Sequence, residues 1–192
     1  MNKSGTLIVI DMQNDFLTGA LPSKEAQALV RPIAELISAW EGDVILTRDT
    51  HNAGYLETLE GRKLPVEHCL EGTAGWCVAD PIMKACYGKG RGVPCIFDKR
   101  HFASDDWPGE FGVRTEKVYL VGTRTDICVV SNALAIRLAY PELDIHVVSD
   151  LCSGTTPKAH AAALTVLESC QIAVETSEEA FDRSFKGPVE AS

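Results

Sequence analysis

Along the chain, short runs of consecutive apolar residues alternate with longer stretches in which apolar residues recur every three or four positions. Thr6-Leu7-Ile8-Val9-Ile10 is such a run; it ends at Asp11 and has the pattern of a strand buried on both faces. Ser23 is placed to cap a helix that carries Ala26, Leu29, Val30, Ile33, Ile37 and Trp40 at helical spacing, and Glu41-Gly42 stops it. Val44-Ile45-Leu46 predicts a second strand ending at Asp49. From Thr50 to about Gly92 the pattern is irregular, with one short helix expected after Asp80-Pro81. A third strand is expected from Val93 to Phe97, closing near Asp98-Lys99, and a fourth from Lys117 to Val121. A helix bearing Val130, Ala133, Leu134 and Leu138 follows, then a fifth strand at Ile145-His146-Val147-Val148. Residues 157–170 read as a helix with Ala163, Val166, Leu167 and Cys170 on one stripe, and Ile172-Ala173-Val174 as a sixth strand before a polar tail from Ser177.

Repeated strand–helix alternation implies a parallel sheet with helices on both faces, because a parallel connection needs a helix's worth of chain to return to the same end. With no repeat, low-complexity segment or linker, the expectation is one α/β domain over residues 1–192, with a loop insertion at about 50–92. Composition changes this picture little: 45% of the 192 residues are hydrophobic and 23% charged, ordinary for a globular chain. The net charge of -9 argues against a nucleic-acid surface. No apolar run approaches the roughly 20 residues of a membrane span, and the N-terminal residues enter the first strand with no signal-peptide cleavage pattern. Seven cysteines, scattered without CxxC pairs, read as reduced thiols in a cytoplasm rather than a disulfide framework or zinc ribbon.

In open parallel sheets, ligands bind beyond the carboxyl ends of the strands. Asp11, Asp49, Lys99 and the turn from Gly122 to Cys128 all fall there. Taken singly, an Asp after a strand is more often a turn residue, and a free cysteine a small buried hydrophobe. Together they suggest chemistry. A thiol at a helix N-terminus faces unpaired N–H groups and the positive end of the dipole, which favour thiolate. The same N–H groups can hold an oxyanion, Lys99 can lower the thiol pKa further, and Asp11 can take a proton and return it to a leaving amine. Two of the five histidines, His51 and His68, lie in the irregular stretch beside Asp49; two imidazoles and a carboxylate are a common set for a divalent transition metal, and ordinary loop histidines are the competing reading.

Three motifs carry a resemblance: Ile10-Asp11-Met12-Gln13-Asn14-Asp15-Phe16, Lys99 after the third strand, and Gly122-Thr123-Arg124-Thr125-Asp126-Ile127-Cys128-Val129. In this order, across the span from the first strand to about residue 175, they resemble the isochorismatase-like cysteine hydrolases. The resemblance implies a doubly wound, six-stranded parallel sheet and a catalytic triad of Asp11 (general base and acid), Lys99 (electrostatic partner) and Cys128 (nucleophile). It also implies a cis Thr123-Arg124 peptide and an oxyanion hole made by the backbone N–H groups of Arg124 and Cys128. Arg124 stands where the family often has a small residue. The loop Asp49-Thr50-His51 with His68-Cys69-Leu70-Glu71-Gly72-Thr73 resembles the metal site of the nicotinamidase/pyrazinamidase branch. It implies a single divalent ion, zinc first and iron or manganese next, held by Asp49, His51 and His68, with Glu60, or in competition Glu57, as the fourth ligand. By the same analogy Phe16 and Trp76 are pocket candidates, although Pro65 stands where many nicotinamidases have tryptophan.

The implied activity is deamidation of a small amide, nicotinamide first, in a cytoplasmic homo-oligomer that serves NAD salvage or a catabolic amide pathway, with neither nucleic acid nor membrane as partner. Competing readings are a metal-free amidase of the same family acting on a carbamoyl, ureido or maleamate-like compound, and a non-catalytic or redox-sensing thiol protein.

Overall fold

Six strands, β1 (Thr6–Ile10), β2 (Asp43–Asp49), β3 (Cys95–Lys99), β4 (Lys117–Thr123), β5 (Asp144–Ser153) and β6 (Ala173–Glu175), form one sheet. Its order is β3-β2-β1-β4-β5-β6 and every pairing is parallel. The computed structural model describes residues 5–88, 93–104, 107 and 116–181. The expected loop end near Gly92 and the tail beyond residue 181 lie outside these.

β1 is buried at every position. Because successive side chains of a strand point to opposite faces, Leu7 and Val9 pack with α2 (Lys24–Ala39) and α4 (Asp80–Tyr87), through Leu29, Ile33, Leu36, Ile37 and Ile82. Ile8 and Ile10 pack on the other face against α5 (Val130–Ala139) and α6 (Pro157–Ser169), through Ala133, Ile136 and Leu167. Each such aliphatic side chain contributes about 1.5–3 kcal/mol on burial, which is why β1 reads as an unbroken apolar run. Ser23 accepts a hydrogen bond from Ala26 N and so starts α2 where expected.

The structure shifts several boundaries. β3 begins at Cys95 rather than Val93. β5 continues past Val148 to Ser153 because a bulge opposite Leu120–Gly122 resets its register, and this brings Ser153 beside Thr123. The stretch after β2 is less irregular than its sequence suggests. Besides α4 it holds a 3-10 turn (Tyr55–Glu57) and α3 (Leu59–Lys63), which Thr58 caps by accepting from Gly61 N. A short α1 (Asn14–Leu17) follows β1. α7 (Ser177–Phe181) follows β6, and its Phe181 ring lies 5.6 Å from Trp40 and 5.1 Å from Tyr119, so part of the polar tail is anchored in the core.

The strand order reverses between β1 and β4, and at such a switch point the two crossovers run to opposite faces and leave a crevice at the carboxyl edge. Asp11 leaves β1 at that edge, and the turn leading to Cys128 leaves β4 beside it. Gly122 allows the close approach: a Cβ there would run into the Ile10 carbonyl, and its φ of +117° suits only glycine.

Candidate active site

Lys99 ends β3, Asp49 ends β2 directly opposite it, and Asp11 follows β1, so three strand ends in a row deliver three charged groups. The Lys99 ammonium is where these groups meet. Its Nζ is 2.8 Å from Asp11 Oδ2, 3.2 Å from Asp49 Oδ1, 3.2 Å from the His101 carbonyl and 3.5 Å from Cys128 Sγ. Both Lys99 and Asp11 side chains are 0% exposed. Asp11 has φ +47°, a left-handed conformation that Asp tolerates better than most residues. Thr47 fixes it twice, accepting from Asp11 N at 3.1 Å and donating its hydroxyl to Asp11 Oδ1 at 2.6 Å.

Cys128 lies in a π-type turn, Thr125–Val129, that leads into α5 and is closed by Val129 N donating to the Arg124 carbonyl at 3.0 Å. The Thr123-Arg124 peptide before it is cis. The position at a helix start would favour thiolate, but tertiary structure adds terms the sequence does not display. Complete burial drives the Cys128 pKa well up; Lys99 opposes this, while Asp11 and Asp49 push it higher still. Burial thus works for the thiol form of Cys128, and against the thiolate that a helix start by itself would favour. Burial also raises the Asp11 pKa against the pull of Lys99, which makes Asp11 a better base than an exposed carboxylate. Burial would strip Lys99 of its proton, but the facing Asp11 and Asp49 outweigh it and keep the ammonium charged.

Asp49 joins this centre to a second one. Its Oδ1 faces Lys99, while its Oδ2 lies 3.1 Å from His51 Nε2 and 3.5 Å from His68 Nε2. Burial works against its charge, but Lys99 and the two imidazoles hold its pKa well below the usual carboxylate range. Glu60 Oε1 completes the group at 3.7 Å from His51 Nε2, and the four candidate ligand atoms all lie within 4.8 Å of one another. His68 Nδ1 sits 2.9 Å from the Val66 carbonyl, a contact that orients the ring with Nε2 toward Asp49. Two imidazole nitrogens and two carboxylates converging in this way fit a divalent transition ion. Between the competing acidic candidates, Glu60 stands with the histidines and Glu57 points to solvent.

Cys128, Asp49, His51, Glu60 and His68 open on one cavity of about 840 Å³. Phe16 lines it, with its ring 5.6 Å from that of His68. Trp76 does not line it. Its indole N–H donates to Thr50 Oγ1 at 2.8 Å, and its ring lies under the Arg48 guanidinium at 3.6 Å, so it braces the strand ends from behind. Arg124 turns its side chain along the cavity wall, and Nη2 donates to the Leu21 carbonyl at 2.9 Å.

Several site-forming residues carried no chemical signal in the sequence. Buried Gln13 accepts from Asp49 N at 2.7 Å and donates to the Asp49 and Trp76 carbonyls at 2.9 and 2.8 Å, fixing the backbone of Asp49. Asp15 accepts from Cys69 N and Ala20 N, tying the His68 loop to α1. Asn132 donates to the Cys128 and Phe102 carbonyls and accepts from Ser104 N and the Trp107 indole, pinning the segment after Lys99 to the cysteine turn. Only the position of Gln13 and Asp15 within the Asp11 motif hinted at a role.

A doubly wound parallel sheet with a cysteine, a carboxylate and an ammonium meeting at its switch point has the layout of a cysteine hydrolase. The Isochorismatase domain model matches residues 6–179, and the chain belongs to the isochorismatase family of hydrolases. Nicotinamidase of Saccharomyces cerevisiae is 27% identical over 179 residues, covering 70% of this chain and 82% of that protein. The crystal structure of nicotinamidase from Bacillus subtilis superposes with a TM-score of 0.74 at 21% identity, covering 91% of this chain and 99% of that one. Pyrazinamidase of Pyrococcus horikoshii in complex with zinc gives a TM-score of 0.71 at 22% identity, with 91% and 99% covered. These likenesses show a common fold.

Proposed function

We propose that the chain is a metal-dependent cysteine amidohydrolase that converts nicotinamide and water to nicotinate and ammonia. The observation that carries this reading is the junction at Asp49, one carboxylate shared between the ammonium beside Cys128 and Asp11 and the imidazoles of His51 and His68, all at one cavity. The names of the yeast, Bacillus subtilis and Pyrococcus horikoshii relatives support the amide substrate, and the zinc of the last supports zinc here, with iron or manganese suited to the same donors.

In this mechanism Asp11 takes the Cys128 proton as sulfur adds to the carboxamide carbon, so no free thiolate need form in the buried site. The oxyanion rests on the backbone N–H groups of Arg124 and Cys128. Asp11 passes its proton to the amide nitrogen, the C–N bond breaks, ammonia leaves and a Cys128 thioester remains. A water then gives a proton to Asp11 as it attacks the thioester, and the expelled sulfur recovers that proton. Lys99 holds Asp11 and Asp49 in place and offsets their charge through both half-reactions. Asp49, His51, His68 and Glu60 would hold the ion, which when bound supplies a Lewis-acid centre beside the reacting group. Phe16 offers a flat apolar surface to a ring. The reaction would place a cytoplasmic homo-oligomer in NAD salvage.

The test is ammonia release from nicotinamide, pyrazinamide and aliphatic amides, with and without chelator. Turnover of nicotinamide that chelation lowers and zinc restores is the expected result. Chelator-insensitive turnover of a carbamoyl compound alone would move the reading to a metal-free amidase, and no release from any amide would overturn it.

A further inference from the structure

The cavity is larger than a single-ring amide needs, and its walls carry unspent positive charge. About 840 Å³ lies in the upper part of the range for drug-sized ligands, and besides Cys128 the lining includes Ile127, Phe102, Leu59, Lys63 and Leu64. Phe102, Leu59 and Leu64 are large apolar side chains left exposed on this one cavity. The carboxylates of the lining are already engaged: Asp49 by Lys99 and both imidazoles, and Glu60 beside His51.

The cations differ. Of the lining's cations, Arg100 lies within ion-pair distance of Glu71. Arg124 has no carboxylate within ion-pair distance among the described residues; its hydrogen bond is from Nη2 to the Leu21 carbonyl, and the exposed Glu25 lies near enough to feel its charge without pairing with it. A guanidinium carries five donors in a planar fork, and the bond to Leu21 uses one of them at a residue that lines the cavity. Its backbone is fixed by the cysteine turn, since Ile127 N and Val129 N both donate to the Arg124 carbonyl. Lys63, on the same lining, also has no carboxylate partner among the described residues. A half-buried, unpaired guanidinium four residues from the nucleophile, in a chain whose net charge is -9, is a local reversal of the overall field.

We propose that Arg124 is a substrate-binding residue that selects amides bearing an anionic group, a carboxylate or a phosphate, so that the substrate range extends beyond a neutral single-ring carboxamide. The inference rests on Cys128 being the amide-cleaving centre. The carboxamide sits at Cys128, the body of the molecule lies along Ile127 and Phe102, and the anion meets the free edge of the Arg124 fork, with Lys63 adding to the local potential. Tethering to Leu21 holds the fork in place before substrate arrives, which lowers the ordering cost of binding.

The experiment compares kcat/KM for two matched amide pairs: a ring carboxamide with a second carboxylate against its methyl ester, and a phosphomonoester-bearing amide against the free alcohol. The expected preference for at least one anion is about tenfold to a hundredfold at low salt, the range for a charge-assisted contact, and it shrinks as ionic strength rises. The pair that shows it names the anion. Arg124→Gln should bring the ratio close to one, Arg124→Lys should keep part of it, and Lys63→Gln should lower it less. Reading the ratio cancels any general loss from a disturbed cysteine turn. A wild-type ratio near one in both pairs, or a ratio that survives Arg124→Gln, overturns the proposal. Nicotinamide turnover with ratios near one removes the anion subsite and leaves the amidase reading standing, whereas no turnover of any amide removes both.

Discussion

Replacing Lys99 by methionine tests the centre of the argument. The substitution keeps the length of the apolar stem but removes an ammonium that lies 2.8 Å from Asp11 Oδ2 and 3.2 Å from Asp49 Oδ1, with neither lysine nor Asp11 side chain exposed. Removing one partner of a buried pair leaves an uncompensated charge and costs about 3–5 kcal/mol, a large part of a typical stability of about 5–15 kcal/mol. The protein can reduce that cost by protonating Asp11, whose pKa burial already raises. A group with a raised folded pKa supports the fold fully below its unfolded pKa, and that support is lost as pH rises through the folded value. The deficit of Lys99→Met should therefore be larger at pH 8 than at pH 5. Urea unfolding of the variant and wild type at both pH values measures it, and ammonia release measures activity, which should fall by about a thousandfold or more because a protonated Asp11 cannot accept the thiol proton. The double variant Asp11→Asn/Lys99→Met removes both charges and should regain part of the stability while staying inactive. Wild-type midpoints for Lys99→Met at pH 8, or near-normal turnover, would refute the reasoning.

Cys128→Ala should abolish turnover with little change in the unfolding midpoint; residual amidase activity near wild type would exclude the thioester. In wild-type enzyme, kcat/KM should fall on the acid side at a pH above the ordinary carboxylate range, because burial raises the Asp11 pKa and protonated Asp11 cannot act as base; a limb at the usual carboxylate position would deny Asp11 that role. His51→Ala should lower metal content, measured by elemental analysis after zinc loading, and unchanged occupancy would remove His51 from the ligand set. Gln13→Ala leaves the Asp49 N–H and carbonyl without their buried partners and should destabilise by about 1–3 kcal/mol while weakening metal retention, with equal stability counting against it.

The doubly wound sheet was legible because parallel strands buried on both faces must be apolar at every position, as Leu7 to Ile10 are, whereas their helices need only one apolar stripe. Asp11, Lys99 and Cys128 were legible because their residue types follow strand ends in a recognisable order, and Asp49, His51 and His68 because a loop holds them together with distinctive chemistry. The sequence had no means of showing that one Asp49 oxygen faces Lys99 and the other faces the imidazoles, since this depends on β2 lying between β3 and β1. Nor did it display the work of Gln13 and Asn132, whose amides satisfy backbone groups brought together only by folding. Trp76 illustrates the reverse: analogy with the family suggested the pocket, but packing turned its ring toward Arg48. Local pattern determines which side chains can reach the carboxyl edge of the sheet. Strand order and burial decide which of them meet there, and whether a thiol among them rests with or without its proton, because charge in a dry interior is set by neighbours distant in sequence.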